Sequence, residues 1–192
     1  MSSIDANSVD SGVAEQSASA NRDPWSKTAD VTGHAADWLL IDRLLTADIR
    51  VSFSGAKSLE VVIAGHAEAP GGAGVLIGSE DTRGWLREIK IRCEEDVLIH
   101  AVSFAPTATL NAQPWLATLG EAPLGDALDA SGAVRRDPMY YCRSSAVSAP
   151  FSSDCEGWAR QSIFDFGAAP LLLVEHLTPA LLSTPRLNAN DE

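Results

Sequence analysis

Trp85-Leu-Arg-Glu-Ile-Lys-Ile-Arg-Cys93 is the stretch that decides the fold. Since side chains alternate between the two faces of a strand, Arg87 shares one face with the apolar residues, while Glu88, Lys90 and Arg92 take the other, which we expect to be exposed to solvent. A guanidinium keeps its charge on the apolar face, and its burial is costly unless an anion meets it. That anion is either a carboxylate of the protein that stabilises the fold or the carboxylate of a ligand.

The second informative stretch is Pro170-Leu-Leu-Leu-Val-Glu-His-Leu-Thr-Pro179, a short apolar run between two prolines. Its length and its bounds predict a core strand rather than a helix. Glu175 lies on the same face of this strand as Leu171 and Leu173, so it also points toward the core. Arg87 and Glu175 could pair with each other, or they could bind opposite ends of a small anionic ligand. Their spacing in the sequence does not distinguish the two arrangements.

The composition fits one domain whose surface repels polyanions. With 192 residues, 45% of them apolar, the chain can bury a core of ordinary size. Its 14 basic and 26 acidic side chains give a formal net charge of -12, and no cluster of Lys and Arg interleaved with aromatic residues offsets this charge. Nucleic-acid binding is therefore not expected, and an anionic substrate would have to be recognised by a few local cations.

The cysteines and the apolar runs predict a cytoplasmic protein. Cys93, Cys142 and Cys155 are odd in number and lack the spacing of a zinc site or a disulfide framework, so we expect reduced thiols. The N-terminus lacks the basic and apolar segments of a secretory signal. No apolar run reaches the length that a membrane span requires.

The order of the predicted elements indicates an α+β domain with an antiparallel sheet. Residues 1–30, rich in Ser, Ala, Asp and Asn, are expected to form a disordered acidic tail, residues 31–182 the folded domain, and residues 183–192 a frayed C-terminal tail. About six strands, mostly adjacent in sequence, and two or three short helices then form a single domain. Oligomerisation is not indicated, and we expect a monomer.

Several local patterns support this architecture. Residues 35–46 have the amphipathic spacing of a helix, and residues 49–54 and 58–64 look like the two strands of a hairpin. Residues 97–105 form a strand that pairs with the Arg87 strand through a tight turn. Residues 114–128 predict two short helices around a turn, which could cover one face of the sheet as a lid.

The familiar sequence signatures of cofactor or nucleophile chemistry are missing. There is no nucleophile elbow and no phosphate-binding loop of the Walker type. His34, His66, His100 and His176 are scattered without the paired spacing of metal ligands. Glu175 and His176 are adjacent, so they point to opposite faces of a strand and cannot ligate one metal together. We therefore expect no metal and no cofactor, and a site built from Arg, Glu and backbone amides.

Six motifs, taken in order, resemble those of the chorismate pyruvate-lyase family, which forms 4-hydroxybenzoate for the ubiquinone head group. The match runs from about Asp37 to Pro179, and the ordered combination is more specific than any one motif. The resemblance implies a six-stranded antiparallel sheet with an internal ligand pocket closed by short helical flaps. The motifs are Trp85-Leu-Arg-Glu-Ile89, Pro106-Thr-Ala-Thr-Leu110, Leu119-Gly-Glu-Ala-Pro-Leu-Gly125, Arg136-Asp137, Trp158-Ala-Arg160 and Pro170-Leu-Leu-Leu-Val-Glu175 with Pro179.

The resemblance also implies a reaction and roles for four residues. The activity is the conversion of chorismate to 4-hydroxybenzoate and pyruvate, with Arg87 holding the ring carboxylate and Glu175 facing the 4-hydroxyl group as the two catalytic residues. Leu124 would contribute a contact from the flap, and Leu45 another. Methionine can stand at the position of Leu45 in the family, so leucine is a departure that matters only if its side chain makes the contact.

Two other functions compete with this interpretation. One is a non-catalytic domain of the same fold that binds an aromatic carboxylate as an effector, as in some bacterial transcription regulators. The first thirty residues are too few and too acidic for the DNA-binding domain that such regulators carry upstream, which favours the enzyme. The other is a different chorismate-using enzyme, which would keep the arginine and change the product.

Overall fold

Six strands form a single antiparallel sheet in the computed structural model of this protein, which describes residues 24–69, 77, 83–167 and 169–187. They lie in the order β1-β2-β3-β6-β5-β4, so the last two strands in sequence lie between β3 and β4. The predicted α+β class with a six-stranded antiparallel sheet is confirmed. The strands are β1 (Lys57–Glu68), β2 (Arg83–Cys93), β3 (Asp96–Pro106), β4 (Val134–Arg143), β5 (Trp158–Asp165) and β6 (Pro170–Leu177).

Short helices cover the sheet. The predicted pair around a turn is confirmed as a 3-10 segment and a helix that ends before Gly132, which has a φ of 71°. The helix that follows β3 directly was not predicted. Within the described residues, no helix has the length and apolarity needed to cross a membrane. The helices are α1 (His34–Leu39), α2 (Thr46–Ser52), α3 (Thr107–Ala112), α4 (Leu124–Ser131) and α5 (Pro179–Leu182), with 3-10 segments at Pro114–Thr118 and Ser144–Ala146.

The segment before β1 differs from the prediction. The helix predicted over residues 35–46 ends at Leu39, and the strand predicted over 49–54 is wrong because most of that segment lies in α2. Leu45, Ile49 and Phe53 are spaced four residues apart, so in a helix all three can face the core. A strand would also place Ile49 and Phe53 on one face, so the apolar spacing does not distinguish the two structures. The buried carboxylate of Asp48 then accepts hydrogen bonds from Arg43 and Arg186, at 2.6 and 2.7 Å.

Each face of the sheet carries its own apolar cluster. On the face that we call the helix face, Ile89, Ala101 and Leu173 pack with residues of the covering helices such as Trp38 and Leu128. On the opposite face, which we call the loop face, Val102 and Phe104 of β3 and Leu172 and Val174 of β6 pack with residues of the connection 144–157. The core therefore has two layers, and the centre of the sheet is covered on both sides.

The covered loop face corrects the expectation that Glu88 is exposed to solvent. The Glu88 side chain is 18% exposed and lies 2.8 Å from Nε2 of the buried His100. Nδ1 of His100 lies 2.6 Å from the hydroxyl of Ser153, in the covering connection. Arg92, farther along the same strand, does lie near the surface, where it pairs with Glu60.

Parts of both predicted tails contact the domain. Ser26 and Tyr141 exchange two backbone hydrogen bonds, of 2.9 and 2.7 Å. At the other end, the Trp38 indole donates to the carbonyl of Thr184 at 2.7 Å, and the Leu187 amide donates to the Ser52 hydroxyl at 2.7 Å. Described residues 24–30 and 183–187 thus lie outside the predicted bounds of the folded domain, and residues 1–23 and 188–192 lie outside the described part.

Candidate active site

Strand register brings Arg87 and Glu175 to one region of the helix face. Arg87 lies opposite Ser103 on β3, and Glu175 lies opposite Ala101 on the other side of the same strand. The two residues are therefore two strands apart and offset by two positions, which gives a Cα separation of about 12 Å from standard strand spacings. At that separation a flat ligand can lie between the two side chains.

Both side chains line one small cavity of about 40 Å³. Its walls also include Leu44 and Leu45 from the site loop, which we define as residues 40–45 between α1 and α2, and Leu124 from the flap, defined as residues 119–131. The structure thus brings all four predicted site residues, Leu45, Arg87, Leu124 and Glu175, to the wall of one cavity. Its volume holds only a few water molecules.

Arg87 binds the flap through backbone carbonyls. The residue is 4% exposed, and its Nη2 donates to the carbonyls of Gly120 and Ala122 at 2.9 and 2.8 Å. Among the described residues, no carboxylate pairs with this guanidinium, and its buried Nε has no hydrogen-bond partner. Burial lowers the pKa of Arg87 from its ordinary value, but a guanidinium remains protonated at neutral pH. A buried cation therefore faces the cavity, and its Nε can donate to an anion.

Glu175 pairs with Arg160 and not with Arg87. It is 7% exposed, and its Oε2 accepts a hydrogen bond from Nε of Arg160 at 2.6 Å. The other carboxylate oxygen has no hydrogen-bond partner within the described part of the chain. Direct pairing of Arg87 with Glu175, one of the two arrangements that the sequence left open, is not what the structure contains.

The cavity has opposite polarity at its two ends. A buried guanidinium lies at one end, a buried carboxylate at the other, and leucine and isoleucine side chains form much of the wall between them. The polarity of such a site matches a flat ligand that carries an anion at one end and a hydrogen-bond donor at the other. Water is largely excluded, which strengthens both polar contacts.

A larger cavity of about 350 Å³ adjoins the first one and shares Leu44 and Glu175 with it. Charged side chains of both signs line it, among them Arg43, Arg160 and Asp48. Glu175 thus lies between the small cavity and the larger polar one.

Sequence reasoning missed the importance of Arg160. The residue appeared there only as part of the Trp158-Ala-Arg160 motif, without a role. In β5 the residues 160, 162 and 164 alternate with 159, 161 and 163, and both sets mix polar and apolar side chains, so the pattern does not assign a buried face. The one available signal was a lone arginine in a strand that lacks other charged residues before Asp165.

Comparisons with known proteins agree with the motifs. A family profile described as chorismate lyase matches residues 20–187. The chain is 31% identical over 151 residues to a protein named "Probable chorismate pyruvate-lyase" of Pseudomonas aeruginosa, a match that covers 76% of this chain and 83% of the relative. It is 29% identical over 153 residues to the chorismate pyruvate-lyase of Salmonella newport, with 77% and 84% covered.

Among solved structures, the effector domain of PhnF from Mycobacterium smegmatis is similar at 10% sequence identity and a TM-score of 0.47. That match covers 65% of this chain and 82% of the effector domain.

Proposed function

The chain belongs to the chorismate lyase family, and from this we propose that it is a chorismate pyruvate-lyase that converts chorismate to 4-hydroxybenzoate and pyruvate. The observation that carries the proposal is the cavity between Arg87 and Glu175, in which the two side chains line the same walls and bind other partners instead of each other. A site residue pair that served only the fold would be expected to form an ion pair directly.

The chemical groups of the substrate match the two ends of the cavity. Chorismate carries a ring carboxylate, a hydroxyl at C4 and an enolpyruvyl ether at C3. The unpartnered Nε of Arg87 can donate to the ring carboxylate. Nη2, on the same edge of the guanidinium, can complete a bidentate pair when movement of the flap releases the carbonyls of Gly120 and Ala122. The carboxylate oxygen of Glu175 that does not contact Arg160 can accept a hydrogen bond from the 4-hydroxyl group.

The reaction removes pyruvate and makes the ring aromatic. The C3–oxygen bond breaks, the hydrogen at C4 leaves the ring, and the methylene carbon of the enolpyruvyl group gains a hydrogen to become the methyl group of pyruvate. Aromatisation supplies the driving force, so the protein has mainly to hold a reactive conformer in a dry cavity. Arg87 fixes the position of the ring, and Glu175 orients the hydroxyl group and stabilises the charge that develops beside it.

The C4 hydrogen has two routes, through Glu175 or directly to the enolpyruvyl methylene. The hydrogen bond from Arg160 occupies one of the two oxygens of Glu175 and fixes the carboxylate, so we assign it the orienting role and favour internal transfer. With deuterium at C4 of chorismate, the label should appear in the methyl group of pyruvate. Recovery of the label in water instead would contradict internal transfer.

Substrate entry requires movement of the flap. A cavity of about 40 Å³ holds a few water molecules but not a substituted six-membered ring. The flap reaches Arg87 through the carbonyls of Gly120 and Ala122, whereas the site loop is tied to the sheet by two hydrogen bonds from Arg160. The flap is therefore the element that we expect to open for substrate entry. It must open a second time to release the product, and we expect this release step to be slow.

The proposal is tested by incubating the purified chain with chorismate and measuring both products. Equimolar 4-hydroxybenzoate and pyruvate are expected. Binding of 4-hydroxybenzoate without release of pyruvate from chorismate would instead indicate an effector-binding domain. A different aromatic product would indicate another chorismate-using enzyme.

The proposal includes a monomer that acts in the cytoplasm. Light scattering after size exclusion should give the mass of one 20.3 kDa chain. The cytoplasmic location is proposed from the odd number and the spacing of Cys93, Cys142 and Cys155 in the sequence.

A further inference from the structure

Arg160 is a deeply buried charged residue beside the site. It is 1% exposed and lies on β5 directly opposite Glu175 of β6. Each of its three guanidinium nitrogens has its own acceptor. Nε donates to Glu175 at 2.6 Å, while Nη1 and Nη2 donate to the carbonyls of Ile41 and Arg43 at 3.1 and 3.2 Å.

This arrangement fixes the guanidinium in one orientation. Because the group is planar and rigid, three acceptors in three directions leave it little freedom to rotate. Two of the acceptors belong to the site loop, whose Leu44 and Leu45 line the small cavity. The third is the carboxylate that faces the same cavity. One side chain thus sets the position of Glu175 relative to the opposite wall.

Arg160 does not itself line the small cavity. It lies behind Glu175, where it contributes to the wall of the adjoining larger cavity. Any effect on a ligand in the small cavity must therefore pass through Glu175 or through the site loop.

We propose that Arg160 is a positioning residue that holds the Glu175 carboxylate with one oxygen directed at the 4-hydroxyl group of the ligand. The inference rests on the proposed function and assigns the selectivity for that hydroxyl group to the Arg160–Glu175 pair. Arg87 recognises the carboxylate end of the ligand, so its contribution is separate. Loss of Arg160 should therefore remove selectivity for the hydroxyl group and leave recognition of the carboxylate.

The test compares the affinities of the full chain for 4-hydroxybenzoate and for benzoate, which lacks the hydroxyl group. The wild-type protein should prefer 4-hydroxybenzoate by about tenfold to hundredfold, the range for a hydrogen bond to a charged group. Arg160→Met and Glu175→Gln should each reduce this preference to about threefold or less, with benzoate affinity maintained. Arg136→Met, which breaks the more exposed pair with Asp165 on the neighbouring strands, should keep the wild-type preference.

A double variant covers the case in which Arg160→Met fails to fold because it leaves the Glu175 charge buried alone. Arg160→Met/Glu175→Gln has no such charge, and its affinity for 4-hydroxybenzoate should equal that of Glu175→Gln within about threefold, since Arg160 acts through Glu175. A further loss of tenfold or more in the double variant would overturn the inference. So would a wild-type preference retained in Arg160→Met.

Failure of the proposed function gives a different result. A wild-type protein that releases no pyruvate from chorismate and binds neither ligand would overturn the function and this inference together. An active wild-type enzyme whose Arg160→Met variant keeps the hydroxyl preference would overturn the inference alone.

Discussion

Replacement of Arg87 with methionine should abolish most of the activity while the fold is retained. Methionine fills a similar volume and removes the charge that we expect to bind the ring carboxylate. A hydrogen bond to a charged group contributes about 1.5–3 kcal/mol, so loss of a bidentate pair costs at least about 3 kcal/mol. That free energy corresponds to a decrease in kcat/KM of about 100-fold or more.

The effect of the same substitution on stability should be small. The carbonyls of Gly120 and Ala122 lose the hydrogen bonds that Arg87 donates. Because both residues are exposed, water can replace the lost donor, and the cost falls to about 1 kcal/mol each. Removal of a buried cation that no carboxylate of the described chain neutralises offsets part of this loss. The free energy of unfolding should therefore change by less than about 2 kcal/mol.

The assay couples pyruvate release to oxidation of NADH by lactate dehydrogenase, with urea denaturation of the same samples. Arg92→Met is the matched control, because Arg92 lies on the opposite face of the same strand in a partly exposed pair with Glu60, and such pairs contribute little. Its activity should equal that of the wild type. The reasoning is refuted if Arg87→Met keeps kcat/KM within threefold of the wild type, or if it unfolds while Arg92→Met remains folded.

Three other predictions concern the cavity wall, the loop face and the flap. Leu45→Met conserves volume, so it should change kcat/KM by less than about threefold. Leu45→Ala leaves a cavity and should lower the free energy of unfolding by about 2–5 kcal/mol in urea titrations. Equal stability of the two variants would contradict the buried placement of Leu45. Burial lowers the pKa of His176 from 6.5 to about 4. As the pH drops from 6.5 to about 4, the histidine is protonated in the unfolded state but not in the folded state. The free energy of unfolding therefore falls by up to about 3 kcal/mol over this interval. His176→Gln should flatten this part of the profile while the exposed His34→Gln does not, and parallel profiles for all three proteins would contradict the assignment. Because the flap must open to release the product, rapid mixing with chorismate should give a burst of about one product per site before the steady state, and a linear time course from the start would count against it.

The positions of Arg87 and Glu175 could be predicted because strand alternation is a local property. Each residue lies among apolar neighbours of the same parity, so its face follows from the sequence alone. The distance between them depends on the strand order β2-β3-β6, which places two strands that are far apart in the sequence on either side of β3. Local patterns contain no information about that order, so the sequence could not decide between a direct pair and a shared ligand.

The incorrect and missing predictions have the same physical origin. Ile49 and Phe53 fit a strand and a helix equally well, and the choice was made by tertiary contacts such as those of Asp48. Glu88 looked exposed because the connection that covers it lies more than fifty residues away in the chain. The role of Arg160 became visible only with the β5–β6 register, which sets it opposite Glu175. Leu45 and Leu124 were assigned through family resemblance, since apolar side chains of this kind have no distinctive local signal.

The most direct measurement is a crystal structure of the protein with 4-hydroxybenzoate bound. We predict that the product lies on the helix face of the sheet, across β3. Its carboxylate should lie about 2.7–2.9 Å from the Arg87 guanidinium, and its hydroxyl group should be hydrogen-bonded to the oxygen of Glu175 that does not contact Arg160. A ligand bound outside this cavity, or inside it with neither contact, would contradict the account.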